Sequence, residues 1–351
     1  MKKPTVIAIA GAAAIASIAA IWLGSAKAPA PAPKPAALFP GLLERVNDVA
    51  EIKIDGKAGA LTLRRAEGET ETWIMVEKGG YPAKFDVVKR AILGMAELRG
   101  VEPRTANPEL HARLQLEDRS EAGSQSTLVS LNAKDGKAVA ELLVGKIDRA
   151  ATETKHGNYY VRKVGDAQTW FAQGQLQVDV SLNRWIDAKV VEIQRKRVKS
   201  VDIRQASGAR LEILRKAGTD EEFEIKGLKV DQKLATPSSP NTMAAALDYM
   251  PFDDVLPLKE REALAVAVTS VYATDDGMVL TLKSRKDGDK WWVTVAVEAD
   301  PANPPKDEVA KEIAELSAKV GGWAFQMPDY RVEQFTKSLD QLLEKDAKKN
   351  G

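Results

Sequence analysis

The side chains most able to do chemistry are few and far apart. The 351 residues include two histidines, His111 and His156, and no cysteine. The lack of thiols removes disulfides, thiol nucleophiles, zinc-thiolate centres and iron-sulfur clusters together. A metal site of several histidines is excluded within one chain, and one built on both would need distant segments to meet. His111 falls on a short helix with no second ligand beside it, and His156-Gly-Asn158 reads as turn chemistry. The acidic pairs Asp253-Asp254 and Asp275-Asp276 carry enough charge to hold a cation. They fall at turns and helix ends, however, where Asp commonly satisfies backbone donors. No phosphate-binding glycine loop with Lys-Ser/Thr, no Gly-x-Ser-x-Gly elbow, no His-Glu-x-x-His pair and no calcium loop occurs. The reading is that the chain carries no catalytic residue, no cofactor and no metal. Scattered carboxylates have no sequence signature, so that reading rests on absent motifs alone.

Two clusters are candidates for binding a partner. Arg195-Lys-Arg197 with Lys199 is the densest positive run. It reads either as a solvated connecting strand or as a contact for phosphate or a lipid headgroup through Arg195 and Arg197. Trp291-Trp292 opens a strand, where neighbours point to opposite faces. One of the two should enter the core; the other either anchors a partner or is covered by the helix expected over 307–319.

Bulk charge narrows the partners further. The 51 basic and 50 acidic residues nearly cancel. Removing residues 1–27, which hold three lysines and no acid, leaves 48 against 50. Binding to nucleic acid needs clustered positive charge, so nucleic acid is not an expected partner.

The N-terminus reads as an attachment device. Lys2 and Lys3 precede an uncharged run, Thr5 to Gly24, rich in Ala and Ile with Trp22 near its end. Twenty helical residues rise roughly 30 Å, about the hydrocarbon thickness of a bilayer. Flanking lysines favour a cytoplasmic N-terminus and place the remaining chain outside. The expected location is a bacterial inner membrane, crossed once, with the body in the periplasm or cell exterior. A cleavable signal peptide is the alternative, because Ala26-Lys27-Ala28 has the form of a cleavage site. Against it stand the length of the run and Pro29 directly after the candidate bond. Ala28 to Pro35 alternates proline with small residues, as an extended stalk or a disordered tether does.

The body is organised by a repetition. Val49-Ala-Glu-Ile-Lys-Ile54, then Leu63-Arg-Arg-Ala66, is echoed by Val198-Lys-Ser-Val-Asp-Ile203, then Leu214-Arg-Lys-Ala217. The fold class expected is α+β: a transmembrane helix followed by two tandem repeats of a mainly antiparallel sheet packed with helices. The boundaries read as an anchor over 1–27, a stalk over 28–37, repeats over 38–192 and 193–345, and a polar tail over 346–351. Within the first repeat, alternation marks strands over 50–54, 60–65 and 73–76. Phe85, Val88, Ile92, Met95 and Leu98 mark a helix. A second helix is expected over 176–186. Lys134-Asp-Gly136 reads as a hairpin turn, reproduced at Lys286-Asp-Gly288. Val332, Phe335, Leu339 and Leu342 predict one closing helix.

Four short motifs carry a resemblance. Leu38-Phe-Pro40, Val46-Asn-Asp-Val49, Trp73 before Tyr81-Pro82, and Tyr159-Tyr-Val-Arg162 together resemble a domain-of-unknown-function family. Its members are membrane-anchored bacterial proteins commonly encoded beside gliding-motility-type ABC transporters. The resemblance implies a location and a neighbour: subunits of an ABC transporter as partners, and the bilayer through residues 5–24. It carries over no catalytic residue. The function expected is therefore a non-enzymatic envelope protein acting as a binding or scaffolding accessory. The alternatives are an envelope enzyme or carrier for a glycan, peptide or lipid in a cleft between the repeats, and self-assembly through exposed sheet edges.

Overall fold

The computed structural model describes residues 35–68, 72–148 and 157–344. The expected membrane segment, most of the stalk, His156 and the tail lie outside the described residues. Among the described residues no helix is long and apolar enough to cross a membrane.

Alternating apolar residues build two large sheets, and every strand pairing is antiparallel. The first contains β1 (Ala36–Ala37), β2 (Val49–Gly56), β3 (Gly59–Arg65), β4 (Trp73–Met75), β5 (Tyr81–Pro82), β6 (Arg99–Pro103), β7 (Thr127–Ala133), β8 (Ala138–Asp148), β9 (Gly157–Lys163) and β10 (Thr169–Gly174). Helices α1 (Phe85–Ala96), α2 (His111–Leu114) and α3 (Leu182–Trp185) accompany it. The second contains β11 (Val198–Gln205), β12 (Arg210–Arg215), β13 (Phe223–Ile225), β14 (Asp254–Pro257), β15 (Val266–Thr274), β16 (Met278–Asp287), β17 (Lys290–Ala299) and β18 (Trp323–Met327). Its helices are α4 (Ser239–Ala244), α5 (Asp307–Val320), α6 (Asp329–Thr336) and α7 (Leu339–Leu342).

Strand order is common to both sheets. Apart from the edge strands β1 and β5, the first runs β6-β10-β9-β8-β7-β2-β3-β4, and the second runs β14-β18-β17-β16-β15-β11-β12-β13. Each strand of one has a counterpart in the same place in the other. The likeness extends to an irregularity. The ladder between β2 and β7 shifts register between Val49 and Glu51, and that between β11 and β15 shifts between Val198 and Ser200. A bulge inverts the side-chain parity beyond it. That is why Val49 and Ile52, three positions apart, are both buried, as are Val198 and Val201.

The core is continuous across the two sheets. Its largest fully buried side chains include Trp73, Trp185, Tyr272, Phe325 and Phe335, each contributing roughly 2–3 kcal/mol by leaving water. Helix α1 buries Val88, Ile92 and Met95 as its spacing predicts, with Val87 and Ala91 beside them. At Gly94 the helix touches the chain after β10 so closely that a Cβ would lie 1.9 Å from the carbonyl oxygen of Gln175.

Three expectations change. Of the helix expected over 176–186, only Leu182–Trp185 is helical. Asp179 accepts the Ser181 N–H at 2.8 Å and turns the chain, and its carbonyl accepts Trp185 Nε1 at 2.6 Å. The closing helix is two, α6 and α7, because Ser338 caps a new start with Gln341 Oε1 accepting its N–H at 2.8 Å. Helix α4 begins at Ser239, with Pro240 in its first turn, and continues as a 3₁₀ turn over Ala245–Leu247. The counterpart of Lys134-Asp-Gly136, which joins β7 to β8, is Asp275-Asp-Gly277, which joins β15 to β16. Lys286-Asp-Gly288 joins β16 to β17 instead.

The edges of the two sheets meet at a seam. Tyr81 of β5 is buried with its ring edge-on to Trp323, Phe252 and Phe325, at centroid distances of 4.9, 5.9 and 6.3 Å. Gly79 lies against Pro257, with φ +63. Lys78 pairs with Asp254 at 2.6 Å. The connecting chain is stitched down behind them: Ile193 N–H donates to Leu247 O at 2.7 Å and Val190 N–H to Met250 O at 2.8 Å.

Candidate functional site

The residues singled out by sequence divide between the two ends of the second sheet. Arg195 and Arg197 precede β11, beside the β15–β16 turn, whereas Trp291 and Trp292 lie at the β16–β17 turn. Strand β16 has 10 residues, so the two clusters stand roughly 30 Å apart at 3.3 Å per residue. They do not form one site.

Arg197 is occupied within the fold. Its Nη1 and Nη2 donate to the two carboxylate oxygens of Glu312 on α5, at 2.9 and 2.8 Å, and its Nε donates to Asp276 at 2.8 Å. Bidentate pairing of this kind is among the strong charged hydrogen bonds. It raises the guanidinium above its ordinary pKa, the bond to Glu312 being the main cause. Burial works against ionisation of Asp276, but hydrogen bonds from Thr274 and Arg197 outweigh it and hold the carboxyl low. Asp275 receives Arg215, and Arg195 pairs with Glu221 at 2.7 Å while its N–H donates to Asp248. Of the acidic pair expected at a turn, Asp276 thus accepts from the basic run and Asp275 from Arg215.

At the other end Trp292 is buried and Trp291 half-buried against the core. Arg261, from the loop after β14, lies over the Trp292 ring at 4.5 Å and pairs with Asp287 at 3.8 Å. Lys286 lies over Trp291 at 5.2 Å. Arg285, opposite Trp292 in the ladder, is buried with its Nε donating to Leu264 O at 3.2 Å and its Nη1 to Thr294 Oγ1 at 2.9 Å. Burial lowers its pKa, with Glu262 opposing.

The remaining candidates have structural partners. His111 is buried, its Nε2 2.9 Å from Ala167 O. Asp253 donates its N–H to Gln326 O at 2.8 Å, and Asp254 accepts Lys78 across the seam. Among the described residues no group of three or more His, Asp or Glu side chains could hold a metal ion.

A feature that local reading misses is an arginine common to both sheets. Arg65 ends β3 opposite Trp73, and Arg215 ends β12 opposite Phe223. Each guanidinium lies over that ring, at 5.6 and 5.9 Å. Each also uses Nη2 to bind two carbonyls, Asn47 and Val49 at 3.2 and 2.6 Å for Arg65, Lys196 and Val198 for Arg215. The signal in the sequence is an Arg eight residues before an aromatic, twice.

The family model for a domain of unknown function (DUF4340) matches residues 73–276, more than half of the chain. The chain belongs to the DUF4340 family. The matched span runs from Trp73 to Asp276 and so includes Tyr81 and Phe252 at the seam, both members of the shared arginine's ring pair, and Arg197. No curated protein and no solved structure matches this DUF4340 chain.

Proposed function

We propose that this DUF4340 protein is a non-enzymatic envelope scaffold. In this reading residues 5–24 hold it in the inner membrane, residues 28–37 space it, and two copies of one α+β unit, 38–192 and 193–345, are presented outside as a binding accessory of an ABC transport system. Duplication is supported by the common strand order, the shared bulge and the paired Arg65 and Arg215.

The observation that carries the scaffold reading is the seam. Tyr81 fills the junction between the sheets with aromatic packing, and burial together with the Asp187 charge raises its hydroxyl far above its ordinary pKa. A packed junction makes the two units one rigid platform and favours surface recognition over catalysis in a cleft between them. The charged side chains singled out by sequence serve as ties in that platform.

Crosslinking of the full chain in native membranes, followed by mass spectrometry, tests the proposal. Transporter subunits are expected among the crosslinked partners. Their absence, with an unrelated anchored protein giving the same pattern, would overturn it.

A further inference from the structure

One cavity stands out by the charge of its lining. It has a volume of about 380 Å³ and lies between α1 and the β3–β4 edge, with Val46, Trp73, Phe85 and Ile92 supplying apolar surface. Among the described residues its only charged lining residues are Arg65 and Lys89, with no carboxylate among them. The size falls in the range of small-molecule pockets.

Its opening has a local cause. Lys84, just before α1, donates its N–H to Trp185 O at 2.7 Å and its Nζ to Asn183 O at 3.0 Å. That draws the start of α1 toward α3, and Phe85 stands 38% exposed at the mouth although its spacing predicts a core position. The second sheet treats the same place differently. There Asn241 of α4 accepts the Phe223 N–H at 2.8 Å and ties helix to strand, and Asp275 pairs with the Arg215 guanidinium. The first sheet has Lys134 where the second has Asp275. Arg65 has no carboxylate partner among the described residues; its buried Nε has no hydrogen-bond partner there, which is equally true of Arg215 Nε, so the missing carboxylate is the difference between the two sheets. A cationic apolar pocket whose described lining holds no carboxylate favours an anion whose body is apolar.

We propose that this cavity binds a compact amphipathic anion, a carboxylate or phosphate on an aromatic or branched apolar body. The body lies against Phe85 and Val46 and the head faces Arg65 and Lys89. The site goes beyond the scaffold reading and takes from it only the membrane anchor, which the assay uses.

The test uses the full chain in nanodiscs of zwitterionic lipid, with 2-naphthoate as probe and 2-naphthamide as its neutral counterpart, by titration calorimetry. One naphthoate per chain is expected, with the amide at least ~10-fold weaker, the discrimination of one charged contact. Lys89 is exposed, so Lys89→Glu keeps the fold; it is expected to weaken naphthoate by ~10-fold or more and leave the amide unchanged. Ile92→Trp, which fills the cavity, is expected to abolish both. Equal affinity for acid and amide, or an unaltered Lys89→Glu variant, would overturn the proposal. Adding phosphatidylglycerol to the nanodisc identifies the natural source: competition with naphthoate assigns the head to a lipid, and its absence to a free anion.

Discussion

Arg162 and Arg285 bury their guanidinium groups to hold the same kind of loop from different strands. Arg162 on β9 donates Nε to Leu116 O at 3.0 Å, and Arg285 on β16 donates Nε to Leu264 O at 3.2 Å. Each leucine lies in the connection leading into the hairpin, to β7 in one sheet and to β15 in the other. Arg162 also donates to Asp166 O at 3.0 Å and pairs with Asp118 at 2.7 Å. A buried cation is tolerated there because its donors are matched by acceptors.

Replacing either arginine by Met keeps most of the packing volume and leaves those carbonyls unserved. Arg162→Met is expected to lower unfolding free energy by ~2–3 kcal/mol, since several charged hydrogen bonds are lost. Arg285→Met is expected to cost less, about 1–2 kcal/mol, because no ion pair is lost and a desolvated charge is removed. Urea titration at neutral pH measures both, and the reverse order would refute the assignment.

Arg197 is the tie between α5 and the sheet. Arg197→Met removes the bidentate pair with Glu312 and the bond to Asp276, and is expected to destabilise by ~1–3 kcal/mol. The specific sign is local. Amide exchange over Asp307–Val320 should accelerate more than exchange in β16, and uniform acceleration would argue against a local tie.

The strands were legible because parity is a local property: Ile52 and Ile54, and their echoes Val201 and Ile203, point where alternate spacing sends them, and the bulges at Val49 and Val198 break the pattern. Pairings over distance leave no such trace, as with Arg197 and Glu312, 115 positions apart. The likeness between the two stretches was visible, but its register was readable only to within a residue. Leu63-Arg64 resembles Leu214-Arg215 by identity, whereas the ladders set Leu63 against Met75 and Ile213 against Ile225, so that Arg65 corresponds to Arg215. A slip of one residue exchanges the faces of a strand. Turn chemistry misleads similarly, because Lys-Asp-Gly suits any tight hairpin and does not say which one. Of the candidate binding residues, sequence identified charge and aromaticity correctly but could not show that Arg261 covers Trp292 or that Glu312 occupies Arg197.

The seam can be weakened from either side. Tyr81→Ala removes three edge-on aromatic contacts and is expected to cost ~3–5 kcal/mol, as for other large-to-small core substitutions. Gly79→Ala adds a Cβ 2.3 Å from Pro257 Cγ at a positive φ, and is expected to cost ~1–3 kcal/mol through clash and strain. Two-step melting by calorimetry, with the halves unfolding separately, is the expected sign that the seam and not one core has failed. A single lowered transition in both variants would mean the two sheets fold as one unit.

Acid stability follows from three carboxylates held below their ordinary range, Glu51, Asp202 and Asp276. Burial alone would raise all three. Hydrogen bonds outweigh it: from Arg64, Lys53 and Asn132 on Glu51, from Arg210 and Arg204 on Asp202, and from Thr274 and Arg197 on Asp276. A carboxyl lowered on folding contributes stability that is fully present above its unfolded pKa, about 4, and is lost as pH falls through the folded value. Thermal midpoints are therefore expected to be flat above about pH 5 and to fall steeply below about pH 4. Asp202→Asn is expected to melt lower than the parent at neutral pH and to converge with it in strong acid, because protonated Asp202 has lost the same arginine pairs. Parallel curves down to the lowest pH would show that Arg204 and Arg210 contribute nothing to the folded state through this carboxylate.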